Sequence, residues 1–93
     1  MAKYTVELFG MSNQFAGRRN VEFESDGDLS LREVVAALRR EMPALEGSII
    51  KPGEDRLTGH YTFNVNGRFC MDDYDVKVRA DDHILLLTFA LGG

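Results

Sequence analysis

The last ten residues, 84–93, read ILLLTFALGG and bear most directly on the fold. The run from Ile84 to Leu91 is apolar apart from Thr88, and its length suits a strand rather than the ~18–20 residues that span a bilayer. A strand that is apolar throughout is typical of a central position with neighbours on both sides. We therefore expect it in the middle of a sheet beside the first strand, with residues 88–93 as an extended tail.

Four more segments carry strand signals. Tyr4, Val6 and Leu8 alternate with outward-facing residues, which is typical of a strand with one buried face. Asn66-Gly67 is a strong hairpin-turn signal between two short segments. Together with the last strand, these patterns predict strands at 3–9, 21–24, 61–65, 68–71 and 83–89. The first two are close in sequence, so we expect them to form an antiparallel hairpin.

One helix start is clearly marked. Ser30 and Glu33 have the spacing of a capping box, in which each side chain bonds the other residue's backbone amide. Leu29 and Val34 occupy the positions of a hydrophobic staple, and apolar residues then recur at helical spacing. Pro43 ends this pattern because it disfavours helical geometry at the residue before it. The segment 44–60 that follows is predicted to be a long connection with few apolar anchors, and such loops tend to be functional or mobile.

Length and composition limit what the chain can do. Its 93 residues predict a single small domain, 1–93, that cannot easily enclose its own catalytic apparatus. A net charge of −4 argues against nucleic-acid binding, and one cysteine excludes a disulfide framework or a multi-thiolate metal site. No stretch resembles a signal peptide or a membrane span, so we expect a cytoplasmic protein without a membrane partner.

The predicted order is strand, strand, helix, strand, short strand and strand, which indicates an α+β fold with the helix on one face of a mixed sheet. With the QFAG segment at 14–17, the VNG turn at 65–67, the ADD turn at 80–82 and the Gly92-Gly93 end, nearly the whole chain resembles ubiquitin-like β-grasp proteins of the MoaD/ThiS-type sulfur carrier family. The resemblance implies a four- to five-stranded sheet packed on one main helix. The segment 44–60 is longer than in the compact thiamine carriers, which favours the molybdopterin synthase small subunit type or a less specialised branch of the family.

The resemblance also implies a chemistry for Gly92 and Gly93. In that family an adenylating enzyme of the ubiquitin-activating type, using ATP and magnesium, joins the terminal carboxylate to AMP, and a sulfur donor converts it to a thiocarboxylate. The chain would then be a carrier without catalytic residues, a metal or a bound cofactor of its own. It would deliver sulfur to the molybdopterin synthase large subunit or to another sulfur acceptor enzyme. Glycine suits this role because it lets the backbone approach a partner's site closely.

Three other functions stay open at this point. Sulfur delivery could serve thiamine or cysteine synthesis instead of molybdopterin synthesis. The chain could be a ubiquitin-like modifier that is conjugated to other proteins through Gly93, since that reaction begins with the same adenylate. It could also be a plain binding module with an incidental Gly-Gly end.

Strand parity predicts a partner-binding surface. If Ile84 and Leu86 face the helix, Leu85 and Leu87 face away from it. An exposed apolar patch on a small acidic protein calls for a partner, and acidic residues around it would steer a basic one. The predicted surface residues are Phe9, Phe69, Leu85, Leu87, Phe89 and Leu91.

Other reactive side chains have simpler interpretations. Cys70 lacks a partner thiol or a supporting histidine spacing, so we expect a half-buried structural cysteine. His60 and His83 lie at strand edges and are expected to be structural or exposed. Asp72, Asp73 and Asp75 lack the glycine and glutamate of a calcium loop and are expected to form a turn. The pairs at 18–19 and 39–40 would form only a small basic patch.

Overall fold

The computed structural model describes residues 2–9, 20–70 and 73–88 of the protein. Within these ranges the predicted strands and helix are present, with bounds that differ from the prediction by about one residue, as boundaries commonly do. The elements are β1 Ala2–Phe9, β2 Asn20–Ser25, β3 Leu29–Ser30, α1 Leu31–Glu41, a 3-10 turn Pro43–Leu45, β4 Tyr61–Val65, β5 Arg68–Cys70, β6 Lys77–Val78 and β7 Ile84–Thr88.

The main sheet has five strands in the order β2-β1-β7-β4-β5. β1 and β2 form the predicted antiparallel hairpin, and β7 lies between β1, to which it is parallel, and β4, to which it is antiparallel. The prediction of a central, fully paired last strand is therefore confirmed. The buried face of α1 and the inner face of the sheet share one hydrophobic core, so the α+β fold class is confirmed as well.

The helix begins as predicted. Ser30 Oγ accepts a hydrogen bond from the Glu33 backbone N–H at 3.2 Å, and the Ser30 backbone N–H donates to Glu33 Oε1 at 2.9 Å. Hydrogen bonds from Ser30 hold the pKa of Glu33 below its ordinary value because they favour the ionised carboxylate, and the bond from the Ser30 backbone has the largest effect. The helix ends at Glu41, and Met42 caps it by donating to the Leu38 carbonyl at 2.7 Å.

A second, two-stranded sheet was not predicted. β3 pairs antiparallel with β6, just before the helix begins. The first helical amides then donate across to the same region, Leu31 N–H to the Val76 carbonyl at 2.9 Å and Arg32 N–H to the Tyr74 carbonyl at 3.0 Å. A helix start leaves amide donors without helical partners, and residues 74–76 satisfy two of them here.

The prediction that 44–60 has few apolar anchors is wrong. Leu45, Ile49, Ile50 and Leu57 are all buried in the core. Isolated bridges link Ile50 to Glu46 and to Leu57, so the segment folds back on itself as an ordered element. The four anchors follow neither helical nor strand periodicity, which is why the sequence pattern conceals them.

Arg39 ties this segment to the helix. Its guanidinium donates to Asp55 Oδ1 at 2.7 Å, to Glu46 Oε2 at 3.1 Å and to the Lys51 carbonyl at 3.3 Å. It also donates to the carbonyl of Glu54. The predicted basic patch is therefore wrong for Arg39, whose charge is used inside the fold. Arg40 is exposed, and the pair at 18–19 lies outside the described residues.

Within the described parts of the chain, every helix falls short of the length and apolar character that crossing a bilayer requires.

Candidate functional site

The face of the sheet that points away from α1 carries the predicted partner-binding residues. On β7, Ile84 and Leu86 are buried against the core, while Leu85 and Leu87 alternate with them and are partly exposed. The same alternation on β1 buries Tyr4, Val6 and Leu8 and turns Phe9 outward. We call this surface the outer face.

Strand register brings four of the predicted residues onto the outer face. Phe9 pairs with Leu87 across the β1–β7 ladder. Leu85 pairs with Asn64, which in turn pairs with Phe69, so these three form a row across β7, β4 and β5. Phe9 is 54% exposed and Phe69 is 55% exposed. Large aromatic side chains this exposed favour a surface that another molecule covers. We call Phe9, Phe69, Leu85 and Leu87 the apolar patch.

The end of β7 lies beside the apolar patch. Because β7 runs parallel to β1, Thr88 follows directly after the Phe9–Leu87 pair. Thr88, which the sequence places in the last strand and at the start of the tail, is part of β7: it pairs with Tyr61, and its hydroxyl donates to the His60 carbonyl at 2.9 Å. The predicted site residues Phe89, Leu91, Gly92 and Gly93 lie outside the described residues.

Charged side chains border the apolar patch on the β1–β2 side. Glu7 pairs with Leu85 in register, and its carboxylate lies 3.4 Å from His83 Nε2. Glu22 forms an exposed ion pair with Lys3 at 3.6 Å, and Glu24 is exposed on the same strand. An apolar centre with an acidic margin suits a partner that has apolar residues flanked by basic ones.

Asn66 links the hairpin turn between β4 and β5 to the turn that precedes β7. Asn66 and Gly67 both have positive φ, 54° and 89°, as a type I′ hairpin turn requires. The Asn66 carboxamide donates to Asp82 Oδ1 at 3.0 Å and accepts from the His83 backbone N–H at 2.8 Å. The Arg79 backbone N–H and then the Asn66 side chain hold the pKa of Asp82 below its ordinary value. The sequence marked both turns but not this contact, since no local pattern encodes a bond between residues 16 apart.

Cys70 is more deeply buried than predicted. Its side chain shares the inner face with Phe63, its partner across the β4–β5 ladder. Burial, and then the nearby charge of Asp73, raise the pKa of the Cys70 thiol above its ordinary value. A buried thiol that resists ionisation is a poor nucleophile, so the structural interpretation of Cys70 is supported.

The remaining candidates form turns and surface contacts. Asp73 Oδ1 accepts from the Asp75 backbone N–H at 3.3 Å, and Asp75 pairs with Arg32 at 3.0 Å. Residues 2–9, 20–70 and 73–88 hold no group of three or more side chains that could bind a metal ion, while Asp72 lies outside them. His60 and His83 are exposed at strand ends, as expected.

Comparisons with known proteins agree with the fold. No family model matches the chain, and no curated protein sequence matches it. Among solved structures, small archaeal modifier protein 1 (SAMP1) from Haloferax volcanii is similar with a TM-score of 0.79 and 26% identity over 98% of this chain and 99% of that one.

Two further structures extend the comparison. A protein from Pyrococcus furiosus assigned as molybdopterin converting factor subunit 1 has a TM-score of 0.71 and 18% identity, covering 95% of this chain and 98% of that one. CysO in the BexX/CysO complex of Amycolatopsis orientalis has a TM-score of 0.71 and 17% identity, covering 97% and 99%. All three structures match over nearly their whole length, so the predicted resemblance and the β-grasp fold are confirmed.

Proposed function

We propose that the protein is a sulfur carrier whose Gly93 carboxylate is activated by a partner enzyme. In the first step a carboxylate oxygen attacks the α-phosphorus of ATP and displaces pyrophosphate, which leaves an acyl-adenylate. Hydrosulfide, or a donor of the same oxidation level, then attacks the acyl carbon and displaces AMP, which leaves a thiocarboxylate. The adenylating enzyme supplies the ATP, the magnesium and the electrostatic stabilisation of phosphoryl chemistry.

One observation carries this proposal: β7 is central, paired on both sides, and ends beside the exposed apolar patch. A fully paired central strand is a rigid base for the five residues that follow Thr88. A partner that covers Phe9 and Leu87 would therefore meet residues 89–93 at the same place.

For the downstream pathway, we propose molybdopterin synthesis, with the chain as the small subunit of a molybdopterin synthase. This choice rests on the sequence resemblance and on the length of 44–60, which the structure describes as an ordered element rather than an open loop. Delivery to thiamine or cysteine synthesis is the alternative within the same chemistry. A carrier must also bind its acceptor enzyme, and the solved CysO complex with BexX supports a partnership of this kind.

A protein modifier conjugated through Gly93 is the second candidate. The observation that favours it is the likeness to small archaeal modifier protein 1 at 26% identity over nearly the whole chain. Both candidates share the adenylate, and they differ in whether sulfide or a lysine amine displaces AMP.

Intact-mass spectrometry separates the candidates. The chain is incubated with ATP, magnesium, a purified adenylating enzyme of the ubiquitin-activating type and sulfide, beside a variant that lacks Gly92 and Gly93. A carrier gains the mass of one oxygen-to-sulfur exchange and the shortened variant does not. Unchanged mass in the full chain, with isopeptide conjugates on lysines in a cell lysate, would favour the modifier. Equal behaviour of both chains in every assay would contradict both candidates.

A further inference from the structure

The sequence of β7, the strand that leads to Gly93, does little to specify the register of that strand. β7 reads ILLLT, with Ile84 and Leu86 on the inner face and Leu85 and Leu87 on the outer face. Register is strongly specified where a strand has one apolar and one polar face, because a slip of one residue exchanges the two sets. Here such a slip exchanges leucine with isoleucine or with another leucine at most positions, and Thr88 at the end is the one polar residue of the strand. It would also move the origin of residues 89–93 by about 3.3 Å along the strand.

Polar contacts at the start of β7 specify its register instead. Asn66 makes three hydrogen bonds to the two residues before Ile84. Its backbone N–H donates to the His83 carbonyl at 2.9 Å, its Oδ1 accepts from the His83 N–H at 2.8 Å, and its Nδ2 donates to Asp82 Oδ1 at 3.0 Å. We call these three bonds the Asn66 clamp. They lie directly beside the Val65–Ile84 pair, the first pair of the β4–β7 ladder.

Asp82 and Asn66 each lie in a turn that is closed by hydrogen bonds of its own. The second oxygen of Asp82 accepts from the Arg79 N–H at 2.8 Å, and the Asp82 N–H donates back to the Arg79 carbonyl at 3.1 Å, which closes the turn before β7. On the other side, Asn64 Oδ1 accepts from the Gly67 N–H at 2.9 Å and closes the hairpin turn. The clamp therefore joins two closed turns, and one register of β7 satisfies all of these groups.

We propose that Asn66 is a positioning residue, which sets the register of β7 and thereby the position of Thr88, the residue from which the chain continues to Gly93. The proposal rests on the proposed function, because a displaced origin matters only if Gly93 must reach a reaction centre on a partner. Asn66 lies at the opposite end of β7 from that origin, so it acts through the strand and not by contact with the reacting carboxylate.

The test compares two variants in the same turn. Asn66→Gly keeps the left-handed backbone accessible and keeps the backbone bond, but removes both side-chain bonds of the clamp. Gly67→Ala is the matched control, since an alanine at a φ of 89° strains the same turn and leaves the Asn66 carboxamide intact. Both are measured at a temperature at which circular dichroism shows each variant to be folded.

The first readout is the steady-state kinetics of ATP-dependent activation by the adenylating enzyme, with the chain as the varied substrate. We expect Asn66→Gly to lower kcat by about tenfold or more with KM little changed, since misplacement by an ångström can cost about a hundredfold, whereas a slipped β7 still presents aliphatic side chains on the outer face between Phe9 and Phe69. Gly67→Ala should retain both constants within about twofold. Equal losses in the two variants, or full activity in Asn66→Gly, would overturn the positioning role.

The second readout is independent of activation. Cross-strand nuclear Overhauser contacts report which β1 and β4 residues face Leu85 and Leu87, and we expect Asn66→Gly to show a second register that Gly67→Ala lacks. A single native register in Asn66→Gly would overturn the clamp. If the wild-type chain is not activated at all, the proposed function fails, whereas these contacts still decide whether Asn66 sets the register.

Discussion

Replacing Arg39 by glutamine should loosen the segment 44–60 and destabilise the whole protein. The Arg39 side chain is 26% exposed and donates to four acceptors spread from Glu46 to Asp55. Arg40 is the matched control, because it is 63% exposed and its ion pair with the neighbouring Glu41 is a contact of 3.8 Å.

The expected magnitude follows from the acceptors. A hydrogen bond to a charged group contributes about 1.5–3 kcal/mol when it is protected, and exposed ion pairs contribute about 0–1 kcal/mol. The carboxylates of Glu46 and Asp55 are partly exposed, so we assign about 0.5 kcal/mol to each of the four contacts and about 2 kcal/mol in total. For a protein of this size, that corresponds to a fall of about 8–16 °C in Tm. Arg40→Gln should change the free energy of unfolding by less than about 0.5 kcal/mol.

Urea unfolding followed by far-UV circular dichroism measures both free energies. Native-state hydrogen exchange adds the location, since in Arg39→Gln the amides of Ile49, Lys51 and Thr58 should lose protection before those of β1 do. A difference of less than about 0.5 kcal/mol between the two variants would refute the reasoning, because it would mean that Arg39 contributes no more than an ordinary surface residue.

Three further predictions concern the other described residues. The pKa of Asp82 is lower in the folded state, so its contribution to stability is present above about pH 4 and is lost as the pH falls through the folded value. The urea midpoint should therefore fall less between pH 6 and pH 3 in Asp82→Asn than in the wild-type chain. Equal falls in the two proteins would contradict this. Cys70 should react with iodoacetamide far more slowly in the native protein than in urea, and equal rates would contradict its burial. Leu85→Ser should weaken binding to the adenylating enzyme about tenfold, whereas the control Thr5→Ser, which also changes an outward-facing residue, should not. Unchanged affinity of Leu85→Ser in a calorimetric titration would show that Leu85 does not belong to the docking surface.

Local patterns predict much of the fold and of the apolar patch. Alternation on β1 and β7 assigns Phe9, Leu85 and Leu87 to the outer face, because side chains on a strand point to opposite sides in turn. The Ser30 capping box is equally local, since its partners lie three residues apart. The outward position of Phe69 follows from the Asn66-Gly67 turn, because a two-residue turn fixes the register of the hairpin that it closes.

The parts that escaped prediction depend on contacts between distant residues. β3 and β6 have two residues each, too few to show a period, and they exist because their partner lies nearly 50 residues away. The acceptors of Arg39 lie 7 to 16 residues along the chain and include two backbone carbonyls, which leave no trace in a sequence. The Asn66 clamp has the same origin. Its turn residues are recognisable, but their meeting depends on β7 lying beside β4.

Activation of the Gly93 carboxylate by a partner enzyme requires an acyl-adenylate of the protein to form. The most direct measurement is ATP-dependent exchange of labelled pyrophosphate into ATP by a purified adenylating enzyme of the ubiquitin-activating type, with the protein as the acyl substrate. We predict exchange that rises with the concentration of the full chain and is absent when Gly92 and Gly93 are removed. Exchange that is equally strong with the shortened chain, or absent with the full one, would contradict the account.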